Sequence, residues 1–267
     1  MKLLAAFTAL VFSFPNLPAT QQISPVASSS TQATTLLGQS LAALTGQAAL
    51  TDVTLSGTAR RIAGSDDDTG TAVFKALASG AARTEVSLSS GQRTEVSDLS
   101  TATAGGTWSG PDRISHPMAF HNLLSEPAWF FPAFAIARRL SVAGYVATYL
   151  GHETRNGQSV EHISVSQSLP LPNPLPGGIS FEHLTQLDFF LDSTTLLPTA
   201  ISFNIHPDNN ALLDLPVEVQ FSDYRAVNGA QVPFHVQKFL NNTLLLDFQV
   251  QTVTLNSGLT SSALSSQ

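Results

Sequence analysis

The sequence predicts a mainly β (α+β) domain: a strongly curved antiparallel sheet, or unclosed β-barrel, with an amino-terminal helix and a mid-chain lid helix. Apolar and polar residues alternate over nine or more segments between 52 and 255, a pattern typical of strands with one buried face. Helical spacing of apolar residues occurs near 36–49 and 132–141. Because the apolar face of a sheet must be covered and only two helices are available, we expect the sheet to curve around them.

The composition limits the classes of function. The 267 residues include 12 Lys+Arg, 19 Asp+Glu and no Cys, which gives a formal net charge of -7. An acidic chain without a basic cluster is not expected to bind nucleic acid, because that affinity depends on neutralising phosphates. The absence of cysteine excludes disulfide scaffolds and thiolate metal sites. A hydrophobic content of 43% with 16 Phe predicts a sizeable core.

The amino terminus resembles an export signal. One positive charge at Lys2, an apolar run over 3–14 and a small residue at Ala19 predict a signal peptide over 1–19, with Ala27 as a weaker cleavage position. The alternative is a buried amino-terminal helix. The run is shorter than the roughly 20 residues of a membrane span, and no cysteine follows it that could carry a lipid anchor. We therefore expect an exported protein of the periplasm, with secretion as the alternative, and no integral membrane span.

The remaining chain predicts one domain with flexible ends. Residues 20–34 are rich in Ser, Thr, Gln and Ala without periodicity, which predicts a flexible linker. A single half-barrel domain is expected over 35–257, followed by a disordered tail over 258–267. Residues 169–178 contain four prolines and two glycines, which predicts a loop.

Short turn signals predict that most strands are joined as hairpins. The pentapeptide Arg-Thr-Glu-Val-Ser occurs at 83–87 and again at 93–97, and the turn-forming residues between them indicate two arms of one hairpin. The alternation changes phase near Gln251, which predicts a β-bulge. Further hairpin turns are predicted at Asn156-Gly157, Asn228-Gly229 and Asn241-Asn242.

The aromatic segment before the second helix is the most suggestive feature. Trp129, Phe130, Phe131 and Phe134 fall within six positions. They could form a lid that lines an apolar cavity, or they could fill the core of the curved sheet. Both interpretations remain open from sequence alone. Glu126 before the helix and Arg138-Arg139 near its end suit the helix macrodipole.

Catalytic and metal motifs are not evident. His152, His162 and His183 each adjoin a glutamate, but neighbours on a strand point to opposite faces and cannot chelate together. The acidic run over 64–70 predicts a hairpin tip, since it lacks the alternating ligands of a calcium loop. No G-x-S-x-G motif or glycine-rich phosphate-binding loop occurs. No sequence feature identifies a catalytic triad among distant Ser, His and Asp residues. We expect no enzyme activity, no cofactor and no metal.

Two motifs resemble a known superfamily. Residues 191–198 have the form LD-x-x-T-x-LP, and residues 222–234 contain a DYR-x-x-NG-x-x-VPF hairpin. Over about 36–257 the chain resembles the outer-membrane lipoprotein carrier superfamily (LolA/LolB-like). The resemblance implies an unclosed β-barrel whose apolar concave side holds lipid or lipoprotein acyl chains beneath a helical lid. The loop over 169–178 and the aromatic segment depart from typical carriers, and no motif transfers a binding residue.

These expectations lead to one main hypothesis. The chain would bind a hydrophobic ligand or a lipidated protein partner on the concave side of a half-barrel and would act as a periplasmic carrier. Its lining would include the four aromatic residues Trp129, Phe130, Phe131 and Phe134. The alternative is a cell-envelope interaction or sensor module with a filled barrel. An enzyme that shapes a cavity around its substrate is a third possibility.

Overall fold

A computed structural model describes residues 30–46, 48–99, 105–168 and 180–265 of the chain. The predicted signal peptide over 1–19, residues 20–29 of the predicted linker and the predicted loop over 169–178 lie outside the described residues. The elements in chain order are α1 (Thr31–Thr45), β1 (Asp52–Ala63), β2 (Asp66–Leu77), β3 (Ala81–Leu88), β4 (Gly91–Asp98), β5 (Gly105–Ser109), β6 (Ser115–Pro117), α2 (Phe120–Leu123), α3 (Pro132–Ser141), β7 (Tyr145–Arg155), β8 (Gln158–Gln167), α4 (Phe181–Thr185), β9 (Leu187–Asp192), β10 (Pro198–Ile205), β11 (Leu215–Val227), β12 (Ala230–Leu240), β13 (Thr243–Leu255) and α5 (Ser261–Ser265).

The thirteen strands among the described residues form one antiparallel sheet in the order β6-β5-β4-β3-β2-β1-β13-β12-β11-β10-β9-β8-β7. Each half is a meander, and only the pairing of β1 with β13 joins strands distant in sequence. The two edge strands, β6 and β7, do not pair with each other, so the sheet stays open. The mainly β fold predicted from the alternating pattern is confirmed.

Curvature of the sheet follows from the composition of its core. Phe74 of β2 in one half and Phe189 of β9 in the other belong to the same buried cluster, together with Leu37 of α1 and Ile136 of α3. One sheet can bring both halves onto the same helices only by curving around them. Helix α1 packs against α3 and against β7 and β12. The concave side therefore holds the amino-terminal and mid-chain helices, as predicted.

Local turn chemistry sets most of the register. The two Arg-Thr-Glu-Val-Ser segments pair as β3 and β4, with Arg83 opposite Val96 and Val86 opposite Arg93. The pairing of β1 with β13 skips Gln251, which confirms the predicted bulge. The three predicted Asn turns also join hairpins, with first-residue φ angles of 51° at Asn156, 49° at Asn228 and 49° at Asn241. Positive φ is what type I′ hairpin turns require.

Both ends of the predicted domain need correction. Helix α1 begins at Thr31, so residues 31–34 of the predicted 20–34 linker are helical. The Ser30 hydroxyl caps this helix by accepting a hydrogen bond from Ala33 N at 3.0 Å. Three residues of the predicted 258–267 tail precede a short helix, α5, in which the buried Leu264 packs against Leu77 and Ala81. Two leucines, Leu259 and Leu264, in a Ser-rich segment were too weak a signal to predict this contact.

The carboxylate of Asp52 fastens the carboxyl-terminal end of β13 to the start of β1. This buried group accepts hydrogen bonds from Ser257 N (2.8 Å), Ser257 Oγ (2.7 Å) and Gly258 N (3.1 Å). Thr51 Oγ1 donates a fourth at 3.1 Å. Burial acts to raise the pKa of Asp52, but the hydrogen bonds, foremost those from Ser257, outweigh it and hold the pKa below its ordinary value. The ionised carboxylate is therefore the form that the fold stabilises.

We expect Asp52→Asn to lower the free energy of unfolding by about 2 kcal/mol, because hydrogen bonds to a charged acceptor contribute roughly 1.5–3 kcal/mol. A group whose folded pKa is lowered stabilises above its unfolded pKa, and that stability is lost as pH falls through the folded pKa. The difference between wild type and variant should therefore shrink below the ordinary aspartate pKa. Urea unfolding of the wild type and Asp52→Asn at neutral and acidic pH measures this difference in the free energy of unfolding. An unchanged difference at acidic pH would contradict the role of the charge.

Candidate binding cleft

A cleft of about 270 Å³ opens between the inner face of the sheet and the chain segment 118–129, which contains α2. Strands β3, β4 and β5 supply one wall, and β10 and β12 supply the other. The cleft is thus bounded by both halves of the curved sheet. Its lining consists of Ala82, Thr84, Glu95, Ser97, Trp108, Met118, Asn122, Leu123, Ser125, Glu126, Pro127, Trp129, Phe203, Ile205, Asp208 and Lys238.

The segment that covers the cleft is held by both halves of the sheet. The Asn122 side chain donates to His206 O (2.8 Å) and accepts from His206 N (2.9 Å) at the end of β10. On the other side, a Cβ atom at Gly106 of β5 would lie 2.6 Å from Leu123 Cδ2. The same Cβ atom would lie 2.8 Å from the backbone oxygen of Val96, so glycine at this position leaves room for both β4 and Leu123.

Trp129 and Lys238 divide the cleft from a smaller neighbouring cavity. The Lys238 ammonium lies 4.4 Å from the centroid of the Trp129 ring, within cation–π distance. A second cavity of about 80 Å³ shares Thr84, Glu95, Trp129 and Lys238 with the cleft. The Trp129 ring also makes an edge contact with Phe74, at a centroid distance of 5.4 Å. A change in the rotamer of either partition side chain would alter the shape of both cavities.

Trp108 is a cleft residue that the sequence analysis missed. Although its segment contains two glycines, Gly105–Ser109 forms strand β5 and pairs with β4 and β6. Trp108 stacks on His116 of β6 at 4.4 Å and is 39% exposed. The only two tryptophans of the chain therefore both line the cleft.

The four aromatic residues predicted to line a cavity occupy different places. Trp129 lines the cleft. Phe130, Phe131 and Phe134 are buried in the core around α3 and are not among the residues that line the cleft. Phe131 and Phe134 contact each other edge to face at 4.9 Å. A lining role for the four together stays a prediction, and Trp129 is the member already positioned for it.

A buried ion pair joins the cleft to helix α3. Arg139 Nη1 donates to Glu126 Oε2 and, at 3.1 Å, to Ala135 O. The other oxygen of Glu126 accepts from Ala128 N at 2.9 Å. Both charged side chains are only 2% exposed. The sequence suggested that these charges complement the helix dipole separately, whereas the structure pairs them directly with each other.

The chemistry of the cleft combines apolar walls with four charged groups. Lys238 is the cation among its lining residues, and Glu95, Glu126 and Asp208 are the acids. Ala82, Leu123, Trp129, Phe203 and Ile205 supply apolar surface. Such a site can bury the apolar part of a ligand. A neutral polar group at the end of that ligand would then lie beside the charged side chains. Among the described residues, the side chains with metal-ligand geometry lie outside this lining, at His183, His206 and Asp214.

Comparison with solved structures supports the fold of the chain. No protein-family model matches the chain, and no curated protein matches it in sequence. Among solved structures it is similar to a domain from Vibrio parahaemolyticus assigned to outer membrane lipoprotein sorting, with 11% identity over 88% of this chain and 96% of that domain and a TM-score of 0.55. A DUF1329 family protein from Desulfovibrio piger has 10% identity over 87% of this chain and 98% of its own, with a TM-score of 0.53.

A LolA superfamily protein from Nitrosomonas europaea is also similar, with 9% identity over 88% of this chain and 97% of its own and a TM-score of 0.45. The fold implied by the sequence resemblance is confirmed by the first two matches. Among the described residues, no helix combines the length and apolar character needed to cross a membrane.

We expect Glu126→Gln to lower the free energy of unfolding by about 3–5 kcal/mol, because it leaves the Arg139 charge buried without a counterion. The double variant Glu126→Gln/Arg139→Met should recover part of this loss, because no unpaired charge remains. Chemical denaturation of the single and double variants measures the effect.

A matched control is the surface pair Arg60–Asp67, whose side chains are 50% and 48% exposed. Asp67→Asn should leave the free energy of unfolding nearly unchanged, since exposed pairs contribute little. Equal losses for Asp67→Asn and Glu126→Gln would contradict the importance of the buried pair.

Proposed function

We propose that the chain is an exported, non-enzymatic protein that binds a hydrophobic ligand, either a lipid or a lipoprotein acyl chain, on the concave side of its open sheet. The observation that carries this proposal is the cleft between the two halves of the sheet, where both tryptophans are located. The shared fold with a domain assigned to outer membrane lipoprotein sorting supports it. In this function the chain would act as a periplasmic carrier of a lipid or a lipidated partner.

The size of the cleft favours an apolar chain over a bulky ligand. Small-molecule pockets have volumes of roughly 300–1,000 Å³, and this cleft of about 270 Å³ lies just below that range. Burial of apolar surface contributes about 25 cal/mol per Å² before the costs of association. Rotation of Trp129 away from Lys238 would extend the cleft into the adjoining cavity. A longer acyl chain could then continue toward Phe74 and Val86.

Trp129 is the residue we assign to the ligand-contacting wall. Phe130, Phe131 and Phe134 would support it from the core, and they would reach the ligand only if α3 moved outward as a lid. The paired charges of Glu126 and Arg139 anchor the start of that segment. In this mechanism the ion pair keeps α3 in place while the Trp129 side chain adapts to the ligand.

A second candidate function is an envelope interaction or sensor module with a filled barrel. Helices α1 and α3 occupy much of the concave side, and this favours a filled barrel. Phe130, Phe131 and Ile136 are fully buried between the helices and the sheet. Such a module would bind a protein partner through its surface, and its cleft would not take up lipid. Ligand binding in the cleft distinguishes the two functions.

Titration with monopalmitoylglycerol, followed by tryptophan fluorescence, tests the proposal. This probe has one acyl chain and a neutral headgroup, so the cleft carboxylates do not repel it. Both tryptophans line the cleft, and we expect a saturable change in emission. A saturable change, smaller than that of the wild type, should still appear in Trp108→Phe, which retains only the ligand-contacting Trp129.

A pair of β4 variants provides the control. Ser97 lines the cleft, whereas Thr94 points to the other face of the same strand, because side chains alternate along a strand. Ser97→Leu should fill part of the cleft and weaken binding roughly tenfold, or about 1.4 kcal/mol, while Thr94→Leu should leave the affinity unchanged. Absence of any fluorescence change in the wild type would contradict ligand binding and favour the filled-barrel module.

A further inference from the structure

A group of three potential metal ligands lies outside the cleft and is assembled from separate segments. His183 belongs to α4, His206 directly follows β10, and Asp214 directly precedes β11. His183 Nε2 lies 2.9 Å from Asp214 Oδ1, and His206 Nε2 lies 3.1 Å from the same oxygen. The three donor atoms all lie within 4.8 Å of one another.

These separations are close to those around a tetrahedral zinc ion. Bonds of about 2.0–2.1 Å at tetrahedral angles place neighbouring donor atoms roughly 3.3 Å apart. The two measured separations to Asp214 Oδ1 are slightly shorter, so a small outward movement of the side chains would accommodate an ion. Two imidazoles and one carboxylate are also ligand types that suit zinc and similar divalent transition metals.

His206 brings a buried donor atom to this group, since its side chain is only 1% exposed. Its Nε2 atom points directly at the shared Asp214 oxygen.

The site is open on one side. The side chains of His183 and Asp214 are 38% and 40% exposed, in contrast to that of His206. An ion can therefore reach the three donors from solvent. A fourth coordination position would remain available to water, as it does in zinc sites with three protein ligands.

We propose that His183, His206 and Asp214 form a binding site for a divalent transition-metal ion of the zinc type. Among the described residues, this is the group of three histidine or acidic side chains whose donor atoms converge. The contact between His235 and Asp247, at 2.9 Å, contains only one histidine and one carboxylate. It is therefore the natural comparison for a pair that should bind metal weakly.

The position of the site connects it to the rim of the cleft. Residues 206–214 join β10 to β11, and Asp208 within this connection lines the cleft. Asn122, which also lines the cleft, is hydrogen bonded to the backbone of His206. A metal held by His183, His206 and Asp214 would fasten α4 to this connection. The ion would then order one side of the cleft mouth.

The test is zinc binding by untagged protein that has been stripped with a chelator. Isothermal titration with Zn²⁺ should give one equivalent per chain. His183→Gln and Asp214→Asn, both at exposed positions, should each weaken the affinity at least about tenfold, since even loss of an outer-shell partner costs 10–100-fold. The control His235→Gln should bind as tightly as the wild type. Circular dichroism establishes that each variant is folded.

A second readout is the visible absorption of the Co²⁺-loaded protein, which reports coordination at histidine and carboxylate donors. The wild type and His235→Gln should show the same spectrum, and His183→Gln should lose it. Absence of saturable Zn²⁺ binding by the wild type would overturn the proposal. Unchanged affinity and spectrum in both His183→Gln and Asp214→Asn would also overturn it, because the metal would then be bound elsewhere.

Discussion

Packing of the aromatic segment and helix α3 against the concave face of the sheet is the contact on which the other features depend. An open sheet of thirteen strands has a long apolar face that water would otherwise reach. Phe130 contacts Phe74 of β2 at a ring-centroid distance of 5.1 Å, and Phe130, Phe131 and Ile136 share one buried cluster with Phe189 of β9 in the other half. This contact keeps the sheet curved while its edges stay unpaired. The cleft is the part of the concave side that α3 and α1 do not fill.

The Glu126–Arg139 pair defines where the filled part ends and the cleft begins. Glu126 lines the cleft, whereas Arg139 is buried beside the rings of Tyr145 and Phe189. Burial of two charges is costly unless they are paired and hydrogen bonded. Here Ala128 N and Ala135 O provide additional hydrogen bonds, so the pair holds the segment before α3 in one position. The backbone of Trp129, three residues along, is thereby held at the boundary between two cavities, while its side chain stays free to change rotamer.

Local signals in the sequence predicted much of the fold. The Asn156-Gly157 turn and the repeated pentapeptide specify hairpins because the residues that determine them are adjacent in the chain. The pairing of Glu126 with Arg139 and the position of Trp108 depend on how distant elements pack, so the sequence alone did not predict them. The same holds for His183, His206 and Asp214, which lie in three separate segments. Residues adjacent to each histidine in the chain do not predict this group, because its three members come together only in the folded structure.

The central claim is that the cleft beside Trp129 binds a hydrophobic ligand in an exported protein. Native mass spectrometry of the chain purified from the periplasm of an expressing cell tests it most directly. We predict a protein mass that corresponds to cleavage after Ala19, together with an additional mass of lipid size that dissociates on activation. Retention of Met1 and Lys2 would contradict export. A ligand-free mass that persists after incubation with lipids would contradict the binding function.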